Sequence, residues 1–413
     1  MKRLVSFLTL VILLLTLATP AFASERQNAY PIVLVVGFGG WDRSELLGFK
    51  YFGGVSDIQA NLTKSGYQTF TAGVGPFSSN WDRACELYAM LKGGVVDYGA
   101  AHAAKYGHAR FGADFGSGYY PQWSNTNKVH LVGHSMGGQT SRLLTQLLEQ
   151  GSSEEQAYAN SHPGTVLSPL FAGDSHWVKS VTTIATPNNG TSLAIGVTNL
   201  VPYAQQLIAF AAAAAGIANE PLYDFKLDQW GVKRESGESF SSYSNRVWNS
   251  QIWCNTHDIS AWDLCPDGAK ELNSWVKAQP DVYYFSWAND ATWEELLTGY
   301  QLPDVTMLPL FQPYAIFMGS YTRNDPGHVV IDSRWWKNDG VVNTNSMAGP
   351  TLGSSDIIVN YNGTSQIGKW NYMGEKSGWD HADMIGIDTS DSLGFTNIND
   401  FYSEIANTLG SLK

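Results

Sequence analysis

The stretch of residues 129–138, VHLVGHSMGG, constrains the fold of this chain more than any other. An apolar run leads into Gly133-x-Ser135-x-Gly137, and residues 139–148 have helical character. This order predicts a strand, a sharp turn and a helix, with a serine at the apex of the turn. The turn is strained, and the two glycines remove Cβ atoms that would clash there. We therefore interpret Ser135 as a nucleophile, with an ordinary glycine-rich strand–helix loop as the alternative.

Two backbone N–H groups are candidates for stabilising a negatively charged oxygen. The N–H of Met136 lies at the predicted helix N-terminus, where such a donor can face an oxyanion. Residues 31–36 form an apolar, β-rich run that predicts a buried strand of a parallel sheet. The glycine-rich residues 37–40 follow this strand and offer the N–H of Phe38 as the second donor. A plain strand–helix turn is the alternative for that segment.

The rest of the chain alternates between the two kinds of secondary structure. Further strands are predicted at residues 67–72, 178–184, 281–287 and 357–361, and helices at residues 55–65, 82–93 and 395–412. This rhythm is typical of a mostly parallel central sheet with helices on both faces. It predicts an α/β-hydrolase fold in one domain, residues 24–413, with large excursions at about residues 78–125 and 220–275.

The N-terminus and the charge of the chain indicate export. Two cations precede an apolar core at residues 4–17 and the small-residue motif Ala21-Phe22-Ala23. This is the pattern of a secretory signal peptide, which we assign to residues 1–23. No other stretch predicts a membrane span. The formal net charge of −12 argues against nucleic acid and against electrostatic attraction to anionic membranes. We therefore predict a secreted, extracellular protein.

Residues 200–218 are apolar, rich in alanine and without a charged side chain. A buried core helix is one explanation. The segment also follows the nucleophile and precedes a polar region, where a mobile lid is often inserted. An apolar lid closes over a site in water and opens against a lipid surface. We predict a helical lid at about residues 196–220.

A nucleophilic serine needs a histidine base and an acid that orients the base. In this architecture they follow the serine along the chain, the acid before the histidine. His381 is the last histidine and precedes the closing helix, so we predict it as the base, with His328 as the runner-up. Asp339 lies in a tight-turn sequence before two valines and is the predicted acid, with Asp332 as its competitor.

Histidine and cysteine spacing suggests further features. His102 and His108 are six positions apart in an Ala- and Gly-rich segment. Zinc suits such imidazoles, although surface histidines are the ordinary explanation. Cys254 and Cys265 are eleven positions apart in a loop-like stretch. In an exported protein this pair predicts a disulfide, which leaves Cys85 as a buried free thiol.

Four blocks of the chain resemble a known family. They are residues 75–86 (GPFSSNWDRACE), 96–105 (VDYGAAHAAK), 223–231 (YDFKLDQWG) and 338–344 (NDGVVNT). These blocks resemble the secreted bacterial lipases of the Bacillus and Geobacillus type, which are α/β-hydrolases with an extra zinc-containing domain. The resemblance extends from about residue 31 to the C-terminus. It implies a catalytic triad of Ser135, Asp339 and His381.

The resemblance also implies a zinc site. Two aspartates and two histidines hold zinc in the family, and they fall on Asp82, His102, His108 and Asp258. A closed tetrahedral site of this kind is structural rather than catalytic.

A stabilising calcium site is implied as well. It falls on Asp383 and Asp388, with backbone carbonyls near Thr306 and Thr389, and would hold the loop of His381. The family usually has Glu, Gly and Pro at the positions of Asp383, Thr306 and Thr389, so the match is imperfect.

Together these inferences predict a secreted triacylglycerol lipase. Ser135 would form an acyl-enzyme with a lipid ester at an oil–water interface, with His381 as the base and Asp339 orienting it. A broad carboxylesterase or polyester hydrolase with the same mechanism is the alternative. A non-catalytic surface-binding protein is disfavoured, because the serine, the acid and the histidine are all present in order.

Overall fold

The computed structural model describes residues 26–195, 197–217, 223–387 and 397–413. The predicted signal peptide lies outside this part of the chain, as do Asp388 and Thr389 of the predicted calcium site. Among the described residues, no helix combines the length and the apolar character that crossing a membrane requires.

The strands of the described residues form one large sheet and two small two-stranded sheets. They are β1 (Ile32–Val35), β2 (Thr69–Ala72), β3 (Val95–Asp97), β4 (Phe111–Asp114), β5 (Val129–His134), β6 (Val178–Ile184), β7 (Tyr283–Asp290), β8 (Thr292–Glu294), β9 (Gln301–Pro303), β10 (Ile358–Asn360) and β11 (Trp370–Ser377). The central sheet has the order β10-β11-β7-β6-β5-β1-β2, and all its neighbouring strands are parallel. The pairs β3–β4 and β8–β9 are antiparallel.

Twelve α-helices of the described residues surround this sheet. They are α1 (Ile58–Lys64), α2 (Asn80–Lys92), α3 (Ala100–Tyr106), α4 (Met136–Gln150), α5 (Ser153–Ser161), α6 (Val197–Ala214), α7 (Phe240–Trp248), α8 (Ile252–Asn255), α9 (Ser260–Asp263), α10 (Pro266–Trp275), α11 (Gln312–Met318) and α12 (Ile398–Gly410). Helix α2 packs against α4, and α12 packs against α1.

The central strands β1 and β5 are buried along their whole length because both of their faces are covered. Every residue of β1 and of β5 is buried. Strand β5 pairs with β1 on one side and with β6 on the other, so the three strands end at one edge of the sheet. The fold is the predicted α/β-hydrolase, and this edge collects the loop after β1, the Ser135 turn and the segment after β6.

One central strand was not predicted from the sequence. Strand β11, WNYMGEKS, pairs with β7 and β10 and has an irregular register between Tyr372 and Glu375. Its only fully buried residues are Trp370 and Asn371, and the residues that follow are partly or largely exposed. A polar strand near the edge of a sheet lacks the apolar run or strict alternation by which strands are recognised.

The two predicted excursions meet beside α2. Residues 78–125 contain α2 itself, which is mostly buried, and the β3–α3–β4 unit beyond it. Residues 220–275 contain helices α7 to α10. The Ser260 N–H donates to the Phe77 carbonyl over 3.1 Å, and the Asn80 N–H donates to the Asp263 carboxylate over 2.5 Å. Segments far apart in sequence are therefore joined at the start of α2.

The predicted disulfide between Cys254 and Cys265 is wrong. Both cysteines are free, as is Cys85, which is buried as predicted. Cys254 is exposed in the short helix α8, whereas Cys265 is buried and caps the N-terminus of α10. The Cys265 Sγ accepts a hydrogen bond from the Gly268 N–H over 3.3 Å. The Cys265 sulfur thus has a local helix-capping role that proximity in sequence does not reveal.

Candidate active site and metal cluster

The serine turn has the geometry that its sequence predicts. Ser135 links β5 to α4 and has φ 55° and ψ −132°, which is a strained conformation for a residue with a side chain. A Cβ atom on Gly133 would lie 2.3 Å from the Gly137 carbonyl carbon, and one on Gly137 would lie 2.3 Å from the Val35 carbonyl oxygen. Only glycine fits at these two positions, so the pattern around Ser135 is a steric requirement.

The predicted acid and base lie together in the described structure. The Nδ1 of His381 is 2.7 Å from Oδ2 of Asp339, and the His381 N–H donates to the Asp339 carbonyl over 3.1 Å. The other carboxylate oxygen, Oδ1, accepts the N–H groups of Val341 and Val342 over 2.9 and 2.7 Å. Asn289 donates its side-chain N–H to Oδ2 over 3.1 Å. These donors satisfy both oxygens of the buried carboxylate and fix its orientation.

The runner-up residues lie in different pairs. His328 is exposed, and its Nδ1 is 3.0 Å from Oδ2 of Asp267. Asp332 accepts hydrogen bonds from the guanidinium of Arg334, the nearest at 2.7 Å. Neither forms the acid–base pair that the mechanism needs.

Ser135 and His381 line one apolar pocket at the C-terminal edge of the sheet. Apolar side chains form most of its wall, including Phe38 from the loop after β1 and Tyr203, Leu207 and Phe210 from α6. The Phe38 ring stacks near Tyr203 with ring centroids 6.2 Å apart. Helix α6, the predicted lid, therefore forms part of the pocket wall.

The two predicted oxyanion donors flank the serine. Met136 is the first residue of α4 and is buried. Phe38 lies in the turn after β1, and its N–H has no protein acceptor among the described residues. A Cβ atom on the preceding Gly37 would lie 2.7 Å from the Ser135 Cβ, which places this turn directly against the serine. The arrangement can present two N–H groups to an oxygen beside Ser135.

A buried Tyr51–His134 pair supports the site, and no sequence pattern indicates this pair. The Tyr51 hydroxyl accepts the Gly37 N–H over 3.0 Å and is 2.8 Å from Nδ1 of His134. The Nε2 of His134 is 3.1 Å from the His381 carbonyl. Burial lowers the pKa of His134 far below its usual value, so the ring is neutral. The Tyr51–His134 pair therefore connects the loop after β1, the serine turn and His381.

Arg83 of α2 holds the other side of the same loop. Its buried guanidinium donates to the carbonyls of Val36 and Gly75 over 2.5 and 2.7 Å and to the Thr140 hydroxyl over 2.8 Å. Burial lowers the pKa of Arg83 to about 10, which leaves it charged at neutral pH. The cation therefore orders the carbonyls that follow β1.

A second group of buried histidines and carboxylates lies where the two excursions meet. One ligand atom each from Asp82, His102, His108 and Asp258 lies within 4.8 Å of all the others. His102 Nε2 is 3.0 Å from Asp258 Oδ2 and 3.5 Å from Asp82 Oδ1, and His108 Nε2 is 3.1 Å from Asp258 Oδ2. All four atoms are buried without a hydrogen-bond partner.

Such a convergence of four unsatisfied buried atoms fits a metal cation, and two imidazoles with two carboxylates suit zinc in tetrahedral geometry. Neighbouring groups fix the ligands. Gln229 donates to the second oxygen of Asp82 over 2.8 Å, and His108 Nδ1 is 2.9 Å from the Ala109 carbonyl. Trp81 stacks on His102 with centroids 4.8 Å apart. These supporting contacts turn the histidine Nε2 atoms inward.

Among the described residues, one other histidine–carboxylate group has metal-ligand spacing: Glu149, His176 and Asp281. The His176 side chain is half exposed, and its Nδ1 contacts both carboxylates over 2.5 and 3.2 Å. Lys128 lies 3.6 Å from Asp281 and supplies positive charge to the group. We interpret it as a surface ion-pair network.

The predicted calcium site is only partly within the described residues. Asp383 is buried, and its Oδ2 accepts the Asp380 N–H over 2.6 Å. Asp380 Oδ2 in turn accepts the Leu308 N–H over 2.7 Å, which ties the segment after Thr306 to the His381 loop. Thr306 is exposed.

Comparison with known proteins identifies similar sequences across nearly the whole chain. The model of a family described as the lipase-like, C-terminal domain matches residues 28–412. Lipase 1 of Staphylococcus aureus strain MRSA252 is 38% identical over 390 residues, which are 93% of this chain and 55% of that protein. A lipase of Staphylococcus hyicus is 37% identical over 387 residues, with 93% and 58% covered. The chain thus spans little more than half the length of these relatives.

Solved structures with the same fold cover more of their own chains. EstA from Clostridium botulinum has a TM-score of 0.88 and 49% identity, over 94% of this chain and 89% of that one. Lipase 1 from Pelosinus fermentans has a TM-score of 0.85 and 51% identity, over 94% and 100%. The Staphylococcus hyicus lipase has a TM-score of 0.79 and 36% identity, over 94% and 97%.

Proposed function

The chain belongs to the lipase-like C-terminal domain family, and on that basis we propose that it is a secreted serine ester hydrolase that cleaves acylglycerols. The observation that carries the proposal is the buried His381–Asp339 pair, which shares one apolar pocket with a strained Ser135. The names of its relatives as lipases support the substrate class. The signal-peptide pattern of residues 1–23 supports export.

Ser135 attacks the ester carbonyl and His381 accepts its proton. The Phe38 and Met136 N–H groups stabilise the oxyanion, and each such donor contributes about 3 kcal/mol to the transition state. His381 then returns the proton to the leaving alcohol, and water hydrolyses the acyl-enzyme. Asp339 holds the His381 ring with Nδ1 protonated, so that Nε2 is free to accept the proton.

The pocket wall supports an apolar acyl group. Leu207 and Phe210 of α6 lie in this wall, and movement of α6 would widen the entrance. We assign α6 the role of a lid that opens at an oil–water interface.

The zinc ligands in this proposal are Asp82, His102, His108 and Asp258. Zinc would neutralise their buried charge and hold the two excursions together. Calcium would be held by Asp383 and Asp388 with carbonyls near Thr306 and Thr389 and would fix the His381 loop.

A nitrophenyl ester series, run beside emulsified triolein, tests this function. We expect hydrolysis of medium and long acyl chains and of triolein, and loss of both activities in Ser135→Ala. Hydrolysis of short soluble esters alone would favour a broad carboxylesterase or polyester hydrolase. Ester hydrolysis that survives in Ser135→Ala would contradict the assigned mechanism.

A further inference from the structure

An unusually apolar surface surrounds the β8–β9 hairpin. The exposed fractions of Leu296, Leu297 and Val305 are 94%, 93% and 97%, and Trp293 and Tyr300 beside them are almost half exposed. We call these five residues the apolar hairpin surface. Isolated exposed apolar residues are ordinary, but five large ones within residues 293–305 mark a candidate interaction site.

The hairpin is well ordered, so the exposure is built into the fold. Its strands pair in register, with Trp293 opposite Leu302. Beyond the strands, the Glu295 N–H donates to the Tyr300 carbonyl over 2.8 Å. The Glu295 carboxylate accepts the N–H groups of Leu297 and Thr298 over 3.0 and 2.8 Å. This turn holds both leucines outward.

The hairpin also rises from the catalytic edge of the sheet. It begins directly after β7, where Asn289 contacts Asp339. The Asp304 N–H at its end returns to the Ala291 carbonyl over 2.8 Å. The chain then continues to Leu308 and Phe311, which line the pocket together with Ser135. A short segment of chain therefore leads from the apolar hairpin surface to residues of the pocket wall.

The charge of this region selects among apolar partners. Residues 291–322 contain no lysine, arginine or histidine, and their only charged residues are Glu294, Glu295 and Asp304. This stretch of chain therefore supplies no positive charge of its own for anionic lipid headgroups. Aliphatic side chains beside Trp and Tyr are instead typical of segments that enter the boundary of an uncharged lipid phase.

We propose that the apolar hairpin surface anchors the protein to an uncharged lipid phase and presents the pocket entrance to it. The inference rests on the proposed function, since a hydrolase of water-insoluble esters must be held at their surface. The anchor is a separate element from α6: it is fixed and exposed, whereas α6 lies against the pocket.

Droplet partitioning in a Ser135→Ala background tests the anchor without hydrolysis. Leu296→Ser/Leu297→Ser is compared with Val166→Ser/Ile357→Ser, which removes two exposed aliphatic side chains from segments outside the hairpin. The probe is a triolein emulsion stabilised with phosphatidylcholine. We expect the hairpin variant to lose about tenfold or more of its droplet partition coefficient, since two leucines are withdrawn from lipid. The control variant should keep its partition coefficient.

Equal partitioning of the two variants would overturn the proposal. A rise in binding when phosphatidylglycerol is added to the droplets would also overturn it, because charge would then drive binding. Light scattering tests whether a second copy of the chain binds this surface instead of lipid. A wild-type dimer that becomes monomeric in the hairpin variant, with unchanged partitioning, would assign the surface to that second copy.

The same pair of variants, made with Ser135 intact, separates this proposal from the proposed function. Both should keep the wild-type kcat/KM on a soluble short-chain ester, which also shows that they fold. A wild-type protein that hydrolyses no ester would refute the function, while the partition measurement would still decide the anchor.

Discussion

Among the described residues, two buried histidine–carboxylate groups differ in the supply of hydrogen-bond donors. At His381–Asp339, both carboxylate oxygens accept N–H groups from neighbouring residues. In the cluster of Asp82, His102, His108 and Asp258, one oxygen or nitrogen of each residue faces the other three and has no hydrogen-bond partner outside the cluster.

The difference shows how the same side chains acquire different chemistry. A carboxylate that is satisfied by fixed donors can remain ionised and orient one histidine for proton transfer. Carboxylates and imidazoles that lack such partners leave uncompensated lone pairs, which are costly when buried and which a cation satisfies. We therefore assign proton transfer to the first group and metal binding to the second.

We expect the largest effect from a substitution in the His381–Asp339 pair. Asp339→Asn keeps the shape of the side chain but offers an amide where His381 needs an acceptor. We expect kcat on a soluble ester to fall about 10⁴-fold, as expected when the histidine is held in the wrong tautomer. Thermal unfolding should change little. A loss below tenfold would argue that Asp339 does not orient the base.

Changes in the cluster of Asp82, His102, His108 and Asp258 should lower stability rather than activity. In protein purified without chelator, we expect zinc near one equivalent by elemental analysis. Removal of the metal, or His108→Ala, should lower the free energy of unfolding by roughly 3–5 kcal/mol, because buried charges lose their partner. The kcat on a soluble ester at room temperature should be largely kept.

His176→Ala is the matched control for His108→Ala, because it removes a histidine from the half-exposed group with Glu149 and Asp281. Its effect on the free energy of unfolding should be about 1 kcal/mol or less. Equal effects of the two substitutions would contradict the distinction between a metal site and a surface ion-pair network.

His130 is a buried histidine whose hydrogen-bond partners are neutral side chains, so it can be compared with the two histidine–carboxylate groups. His130 of β5 has Nδ1 2.7 Å from the Ser180 hydroxyl and Nε2 2.9 Å from the Asn28 side-chain oxygen. Burial lowers the pKa of His130 from 6.5 to about 3. The folded state therefore favours the neutral ring, and its stabilising contribution is present above pH 6.5 and is lost as the pH falls toward 3.

Between pH 7 and pH 4.5, we expect protonation of His130 in the unfolded state to lower the free energy of unfolding by on the order of 2 kcal/mol. Each unit of pKa difference corresponds to about 1.4 kcal/mol. Denaturant unfolding of wild type and His130→Gln at the two pH values measures it. The variant should show the shallower pH dependence. Parallel pH dependences would show that His130 titrates normally in the folded protein.

The serine turn and the Asp339 turn could be predicted from the sequence because their signals are local. The glycines around Ser135 and the tight turn at Asp339 can be recognised from a few adjacent residues, and β1, which is buried on both faces, is a continuous apolar run. The four predicted zinc ligands are identified as a set only by the family resemblance. Spacing alone links His102 to His108, but not Asp82 to Asp258 in the other excursion.

The contacts that the sequence missed depend on tertiary structure. Tyr51 and His134 are separated by 83 positions of the sequence. Arg83 and Val36 are separated by 47 positions. Strand β11 has too little apolar pattern to be recognised. The expected disulfide failed because two cysteines eleven positions apart are separated by a helix and a turn, with Cys265 engaged in capping α10.

Active-site labelling tests the central claim, that Ser135 is the nucleophile of this pocket, most directly. Wild-type protein is treated with a long-chain p-nitrophenyl phosphonate, and the adduct is located by mass spectrometry of the intact chain and its peptides. We predict one adduct per chain, on Ser135, formed in proportion to the loss of ester hydrolysis and absent in Ser135→Ala. Complete inactivation with the label on another residue, or with Ser135 unmodified, would contradict the account.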